Sequence, residues 1–198
     1  MQLYYETDRL VTKIESSDIT EKVLDFFLRN KAFFAPSEPP HVPNFYTEDV
    51  LRRALDTEYH RMLHLQSFRF WLYKKDDLDQ IIGTVSFTGL RPVPYSHCEI
   101  GYRLDEAHTG QGYATEVLEY LIPIVQKDLH LHRMLAYIRP ENTASIHLIE
   151  RLGFTREGLC HANLLIDGSW QDHYLYAKIF PTLGTAPNAC PPNKSHSS

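Results

Sequence analysis

The chain has 198 residues, 43% of them hydrophobic and 23% charged, a globular composition and not a disordered one. That length suits one domain, which buries roughly 70% of its unfolded surface and needs no disulfide or metal to fold. With 20 Lys and Arg against 25 Asp and Glu the net charge is −5, so the overall basic footprint of a nucleic-acid binder is missing. No run approaches the ~20 apolar residues of a membrane span. The opening Met1 to Glu6 lacks the basic-then-apolar order of a signal peptide. Cys98, Cys160 and Cys190 are odd in number and far apart, which fits reduced thiols in a cytoplasmic protein. His130-Leu131-His132 has no Cys or His partner at finger-like spacing, so no metal is expected.

Arg9 to Glu15 alternates and predicts a first strand. Asp18 is placed to cap a helix, with Glu21 completing a capping box. Prolines between Ala35 and Pro43 force a surface loop. Thr47 is expected to cap a second helix reaching about Leu65. Phe68–Lys74 and Gln80–Leu90 read as a hairpin across the polar turn Lys74–Asp79, and His97–Leu104 as another strand. A glycine turn, Asp105 to Gly112, feeds a helix over Tyr113–Asp128, in which Pro123 predicts a kink. Arg133–Arg139 is a strand. Asn142 caps a short helix that stops at Leu152 before the left-handed Gly153. Phe154–Leu165 and Asp172–Phe180 are strands joined through Asp167-Gly168. Residues 1–180 thus form one mixed α/β domain, a single sheet with helices on both faces. From Pro181 onward the composition is that of a disordered tail.

The chemistry is concentrated where the strand Ile100–Leu104 runs into Thr109-Gly110-Gln111-Gly112-Tyr113-Ala114-Thr115. The first amides of a helix have no internal partner, and the helix dipole adds positive character there. Gly110 and Gly112 let an anion approach the backbone. A phosphate or pyrophosphate cradle follows, with an ordinary turn as the alternative. A nucleotide P-loop is excluded because Tyr113-Ala114 stands where Lys-Ser/Thr is required. Thr115 replaces the third glycine of a dinucleotide fingerprint.

Three further segments join this turn: Glu99-Ile100-Gly101-Tyr102, Asn142 to Ser145 with Glu150-Arg151-Leu152-Gly153-Phe154, and the opening Glu6-Thr7-Asp8-Arg9-Leu10. Together they resemble the GNAT superfamily of acyl-CoA-dependent N-acyltransferases, and more narrowly its branch that acetylates ribosomal-protein amino termini. The resemblance covers roughly residues 6–180. It implies a mostly antiparallel sheet of about six to seven strands flanked by helices, and acetyl transfer from acetyl-CoA to a primary amine. The thioester end would lie against Tyr102, Arg103 and Leu104. The pyrophosphate would lie on amides from Thr109 and Gly110 through Gln111, Gly112, Tyr113 and Ala114 to Thr115, and Asn142 and Ser145 would face the pantetheine arm and sulfur. Two positions depart from the pattern: Thr109 stands where Gln or Arg is usual, and Ile149 where many members carry a tyrosine acid.

Such a reaction needs a polarised carbonyl, a neutral amine and a stabilised thiolate. Glu99 is the leading base, acting through a water, with a structural carboxylate paired to an arginine as its bland alternative; His97 is the second candidate. Ser145 is the candidate donor to the departing sulfur, against a helix-face hydroxyl bonded one turn back. Arg133 and Arg151 are read as solvated or as phosphate partners, Trp71 and Tyr73 as core, and Trp170 as packing or acceptor lining. The resemblance places the acceptor pocket in the segment Ala32–Tyr59 and near Gly168. The acceptor stays open among protein amino termini, polyamines, amino acids and aminoglycoside-like amines. The expected partners are this amine alone, with no nucleic acid or membrane, in a monomer or homodimer. A binding module that has lost catalysis is the rival reading.

Overall fold

The computed structural model describes residues 1–181. The expected tail, 181–198, lies outside the described residues apart from Pro181. Eight strands form one sheet in the order β1-β2-β3-β4-β5-β6-β8-β7. They are β1 (Tyr4–Glu6), β2 (Leu10–Lys13), β3 (Phe68–Lys74), β4 (Asp77–Arg91), β5 (His97–Leu104), β6 (Arg133–Ile138), β7 (Thr155–Ile166) and β8 (Ser169–Ile179). Every neighbouring pair is antiparallel except β5 and β6, which run parallel. The chain-order pattern predicts seven strands and the resemblance six to seven. The additional one is β1, three residues of which only Tyr5 is buried, too short to show an alternation.

Four helices cover the sheet: α1 (Thr20–Phe34), α2 (Glu48–Leu63), α3 (Tyr113–Asp128) and α4 (Thr143–Arg151). Side chains that alternate along a strand feed two separate cores. Phe68, Phe70 and Leu72 of β3 pack with Val117, Leu118 and Leu121 of α3 and Ile149 of α4. Trp71 and Tyr73 of the same strand pack on the opposite face with Val23, Phe26 and Phe27 of α1 and Leu51 and Leu55 of α2. Burying a side chain of this size contributes about 1.5–3 kcal/mol, so each face is anchored by its own aromatic and aliphatic set.

Local chemistry corrects several boundaries. Ser16, not Asp18, caps the entry to the first helical segment: it accepts from the Asp18 amide, and a 3₁₀ turn at Ser17–Ile19 leads into α1. Thr47 occupies the expected cap position but makes no cap bond; its hydroxyl donates instead to the Asn44 carbonyl at 2.7 Å. The β3–β4 turn narrows to Lys75-Asp76, since Lys74 already pairs with Asp77. Strand β8 begins at Ser169, three residues earlier than the pattern suggests, because Asp167 and Gly168 both take positive φ, 47° and 73°, and close a two-residue hairpin. Helix α3 continues through Pro123, which sits on its exposed face.

Candidate active site

The glycine turn is braced by its own hydrogen bonds. Asp105 caps the short turn Glu106–His108 through the Ala107 amide at 2.9 Å. The Thr109 hydroxyl donates to the Glu106 carbonyl and the Gln111 amide group to the Ala107 carbonyl, each at 2.9 Å. Asp105 is nearly fully buried and held from α1 by Arg29 and Asn30. Burial raises its pKa, but the bonds from Asn30, Ala107 and Arg29 outweigh that and leave it below the usual carboxylate range. Gly112 is the residue before α3, with φ 82° and no side-chain cap. The first helical backbone bond there is Glu116 N–H to Gly112 C=O, 3.0 Å. The amides of Tyr113, Ala114 and Thr115 therefore point out of the helix start without a described partner, and a Cβ at Gly110 would meet nothing within 4 Å. Open space over unpaired amides is what a pyrophosphate requires; the Tyr113 ring itself is in the core.

One participant was not singled out in the sequence. Arg9, on the approach to β2, reaches the turn: its guanidinium donates to the Gln111 carbonyl at 3.0 Å, lies 4.3 Å above the Tyr113 ring, and pairs with Glu116 at 2.6 Å. The only local signal was its place in Glu6–Leu10.

Next to the turn the sheet opens. Strands β5 and β6 pair at His97–Arg133, Cys98–Met134 and Glu99–Leu135. Beyond Glu99, β5 continues to Leu104 on β4 and β6 to Ile138 on β8, without pairing to each other. The two strands thus splay, and Tyr102, Arg103 and Leu104 lie along the opening. The opened end of β5 leads directly into the glycine turn and the start of α3.

Glu99 is the last paired residue before the gap. Cys98 and Ile100 point into the α3 core, so Glu99 points to the α1 and α2 side. Its carboxylate folds over Gly89, where a Cβ would sit 3.1 Å from Oε1, and it makes no ion pair or hydrogen bond with a described residue. The arginine pairing weighed for it is not formed: Arg133, the register partner of His97, pairs with Glu157. His97 lies two residues back in the closed part of the sheet, near Tyr95. Burial, with the Glu99 charge adding to it, pushes the neighbouring Cys98 thiol up to about 12.

Across the gap stands the first turn of α4. Asn142 caps it, its side-chain oxygen accepting from the Ser145 amide at 3.1 Å, which leaves its amide NH₂ to donate. The Tyr102 hydroxyl donates to the Ser145 carbonyl at 3.3 Å and so ties β5 to α4. Burial raises the Tyr102 pKa. The Ser145 hydroxyl is half-buried, and the bond to a carbonyl one turn back is not among its contacts. Ile149, where a tyrosine acid is common, is fully buried in the core.

The proline-rich loop crosses over this region. Glu38, 8% exposed, pairs with Arg103 of β5, and Arg139 at the end of β6 donates to the Pro36 carbonyl at 2.5 Å. The loop is therefore held from both sides of the splay. The Arg103 side chain is committed to this contact and to the rings of Phe27 and Phe34. Burial lowers its pKa to about 10. Trp170 is 65% exposed at the start of β8. Glu38, Arg139 and Arg9 were all missed in sequence because their partners are distant in the chain.

The family described as "Acetyltransferase (GNAT) domain" matches residues 11–155. The chain belongs to the GNAT acetyltransferase family. It is 32% identical over 177 residues to the [ribosomal protein uS5]-alanine N-acetyltransferase of Escherichia coli, covering 88% of this chain and 90% of that one. It is equally 32% identical, over 172 residues, to the probable N-acetyltransferase YjcK of Bacillus subtilis, covering 86% and 93%. The crystal structure of a ribosomal-protein-S5-alanine acetyltransferase from Vibrio fischeri superposes with a TM-score of 0.85 at 29% identity, covering 90% of this chain and 97% of that one. As a GNAT enzyme the chain transfers an acetyl group from its co-substrate acetyl-CoA to an amine. These relatives are named as enzymes, which gives no support to a module that has lost catalysis. Among the described residues no cluster of His, Cys, Asp or Glu is arranged to hold a metal, and no helix is long and apolar enough to cross a membrane.

Proposed function

We propose that this acetyltransferase modifies the amino terminus of a protein, in the cytoplasm, with residues 1–180 acting as one catalytic domain. The observation that carries the reading is the unpaired Glu99 carboxylate at the point where β5 leaves β6, on a strand that the Tyr102 hydroxyl ties to Ser145 of α4. Similarity to alanine amino-terminal acetyltransferases over nine-tenths of their length supports the choice of acceptor. An α-amine has a pKa near 8, against about 10.4 for a lysine, so a carboxylate working through one water suffices to take up its proton.

Acetyl-CoA supplies the activated acetyl group. The amides of Gly110 through Thr115 hold its pyrophosphate, and the Asn142 NH₂ donates to its amide arm. The β5 backbone at Tyr102–Leu104 donates to the thioester carbonyl and stabilises the charge that develops on attack. Glu99 accepts the ammonium proton through water, and the Ser145 hydroxyl donates a hydrogen bond to the departing sulfur. The test is to incubate the protein with acetyl-CoA and Ala-initiated peptides, following thiol release and locating the acetyl group by mass spectrometry. Label on the α-amine is expected. Label confined to lysine side chains, or turnover only with polyamines, would overturn the acceptor.

A further inference from the structure

Between α1, α2 and the sheet lies a pocket of about 190 Å³, walled by Phe27, Phe45, Leu51, Leu55 and Trp71. Arg103, which borders it, lies on the splayed part of β5 and shares that strand's face with Glu99. An apolar cavity of about 150 Å³ is enough for a benzene-sized group, so this one holds a single large side chain. Its charged groups are already matched. Glu38 pairs with Arg103 and Glu58 with Arg69 at 2.8 Å. His41 is 2.7 Å from Glu38 and stacks on Phe45 at 3.8 Å.

We infer that this pocket selects acceptors by an apolar side chain carried at the first or second residue of the amino terminus, and excludes polyamines. The inference rests on the amino-terminal reading above. A cationic chain entering here finds no free carboxylate; Glu38 and Glu58 each have a guanidinium partner, and a second cation beside Arg69 or Arg103 is repelled. An apolar side chain displaces only water and touches aromatic walls. Discrimination by such a pocket is typically about 10–200-fold.

Two measurements test this. The first compares thiol release from tetrapeptides carrying Gly, Leu, Phe, Lys or Glu at residue one or two, and from spermidine. The second reads pocket occupancy without turnover. The chain has 2 Trp, and Trp170 lies outside the pocket lining, so Trp170→Phe leaves Trp71 as the single tryptophan, read by excitation selective for indole. Leu and Phe peptides should exceed the Gly and Lys peptides at least about tenfold in kcat/KM, and they alone should change Trp71 emission. Ala54→Phe, which fills the pocket from the face of α2, should erase the advantage with acetyl-CoA affinity unchanged. Equal turnover of all peptides with no emission change would overturn the pocket assignment and leave amino-terminal acetylation standing. Emission changes without acetylation would overturn the amino-terminal reading and uphold the pocket. Absence of both would overturn both.

Discussion

Arg9 and Glu116 are 107 residues apart in sequence and clasp each other at the start of α3, the Arg9 amide donating to Oε1 at 2.8 Å and its Nε to Oε2 at 2.6 Å. Thr7 adds its hydroxyl to the same carboxylate. The N-terminal strand is thereby fastened to the helix whose first amides are unpaired.

Burial raises the Glu116 pKa, but the bonds from Thr7 and Arg9 more than reverse this and lower it. A lowered carboxylate stabilises the fold fully above its unfolded value, and the contribution is lost as pH falls through the folded one. Glu116→Gln should therefore cost about 2 kcal/mol at pH 7, the scale of hydrogen bonds to a charged group. The difference from the parent should shrink below about pH 4. Urea unfolding at the two pH values checks this; a constant difference would show that the charge is not involved.

The two glycines of the turn should respond differently. Gly110 has open space around a built Cβ, so Gly110→Ala carries only the left-handed backbone cost of about 1–2 kcal/mol. A Cβ at Gly112 meets Arg9 Nη2 at 3.4 Å, and a β-branched residue there also resists φ 82°. Gly112→Val should weaken acetyl-CoA binding roughly 10–100-fold, the loss of one or two charge-assisted bonds, with the fold retained. Calorimetry on both variants separates the cases.

Glu99→Gln should lower the rate by about 10²–10⁴ if general-base catalysis is lost, and the deficit should shrink as pH rises and the amine deprotonates unaided. Ser145→Ala should lower kcat with little change in acetyl-CoA affinity, because its bond forms chiefly in the transition state. No rescue at high pH is expected for Ser145→Ala. A pH–rate profile of both variants is the measurement; a Glu99→Gln profile matching the parent at every pH would leave His97 or a backbone route as the base.

Glu38→Gln should loosen the proline-rich loop. Breaking a buried pair costs about 3–5 kcal/mol, but the Arg103 side chain keeps 34% exposure, so roughly 2 kcal/mol is expected here. Acceptor KM should rise while acetyl-CoA affinity holds, since the loop covers the Glu99 side of the sheet. Thermal unfolding and the two KM values measure both effects.

Much of the scaffold is written in local pattern. The spans Phe68–Lys74, His97–Leu104 and Tyr113–Asp128 follow directly from alternation, turn residues and helix periodicity, and they coincide with β3, β5 and α3. Asn142 and Gly153 bound α4 as their chemistry requires, the one accepting from Ser145 N–H and the other at φ 82°. What escaped was either too short, as β1 is, or carried by long-range contacts. Nothing around Glu38 in a run of prolines announces Arg103, 65 residues on, and nothing around Arg9 announces Gln111. At the caps, Ser16 and Asp18 compete for the same amides two residues apart, and composition alone does not rank them.

The parity of β3 has a consequence for how such a chain can diversify. Phe70 and Leu72 serve the core under α3, while Trp71 and Tyr73 between them serve the core under α1 and α2. Substitutions drawn from alternate positions of one strand are thus sorted to opposite sides of a wall one backbone thick. Acceptor preference can drift on one side while donor recognition on the other is inherited intact, so lineages sharing one acetyl source can part company over what they modify.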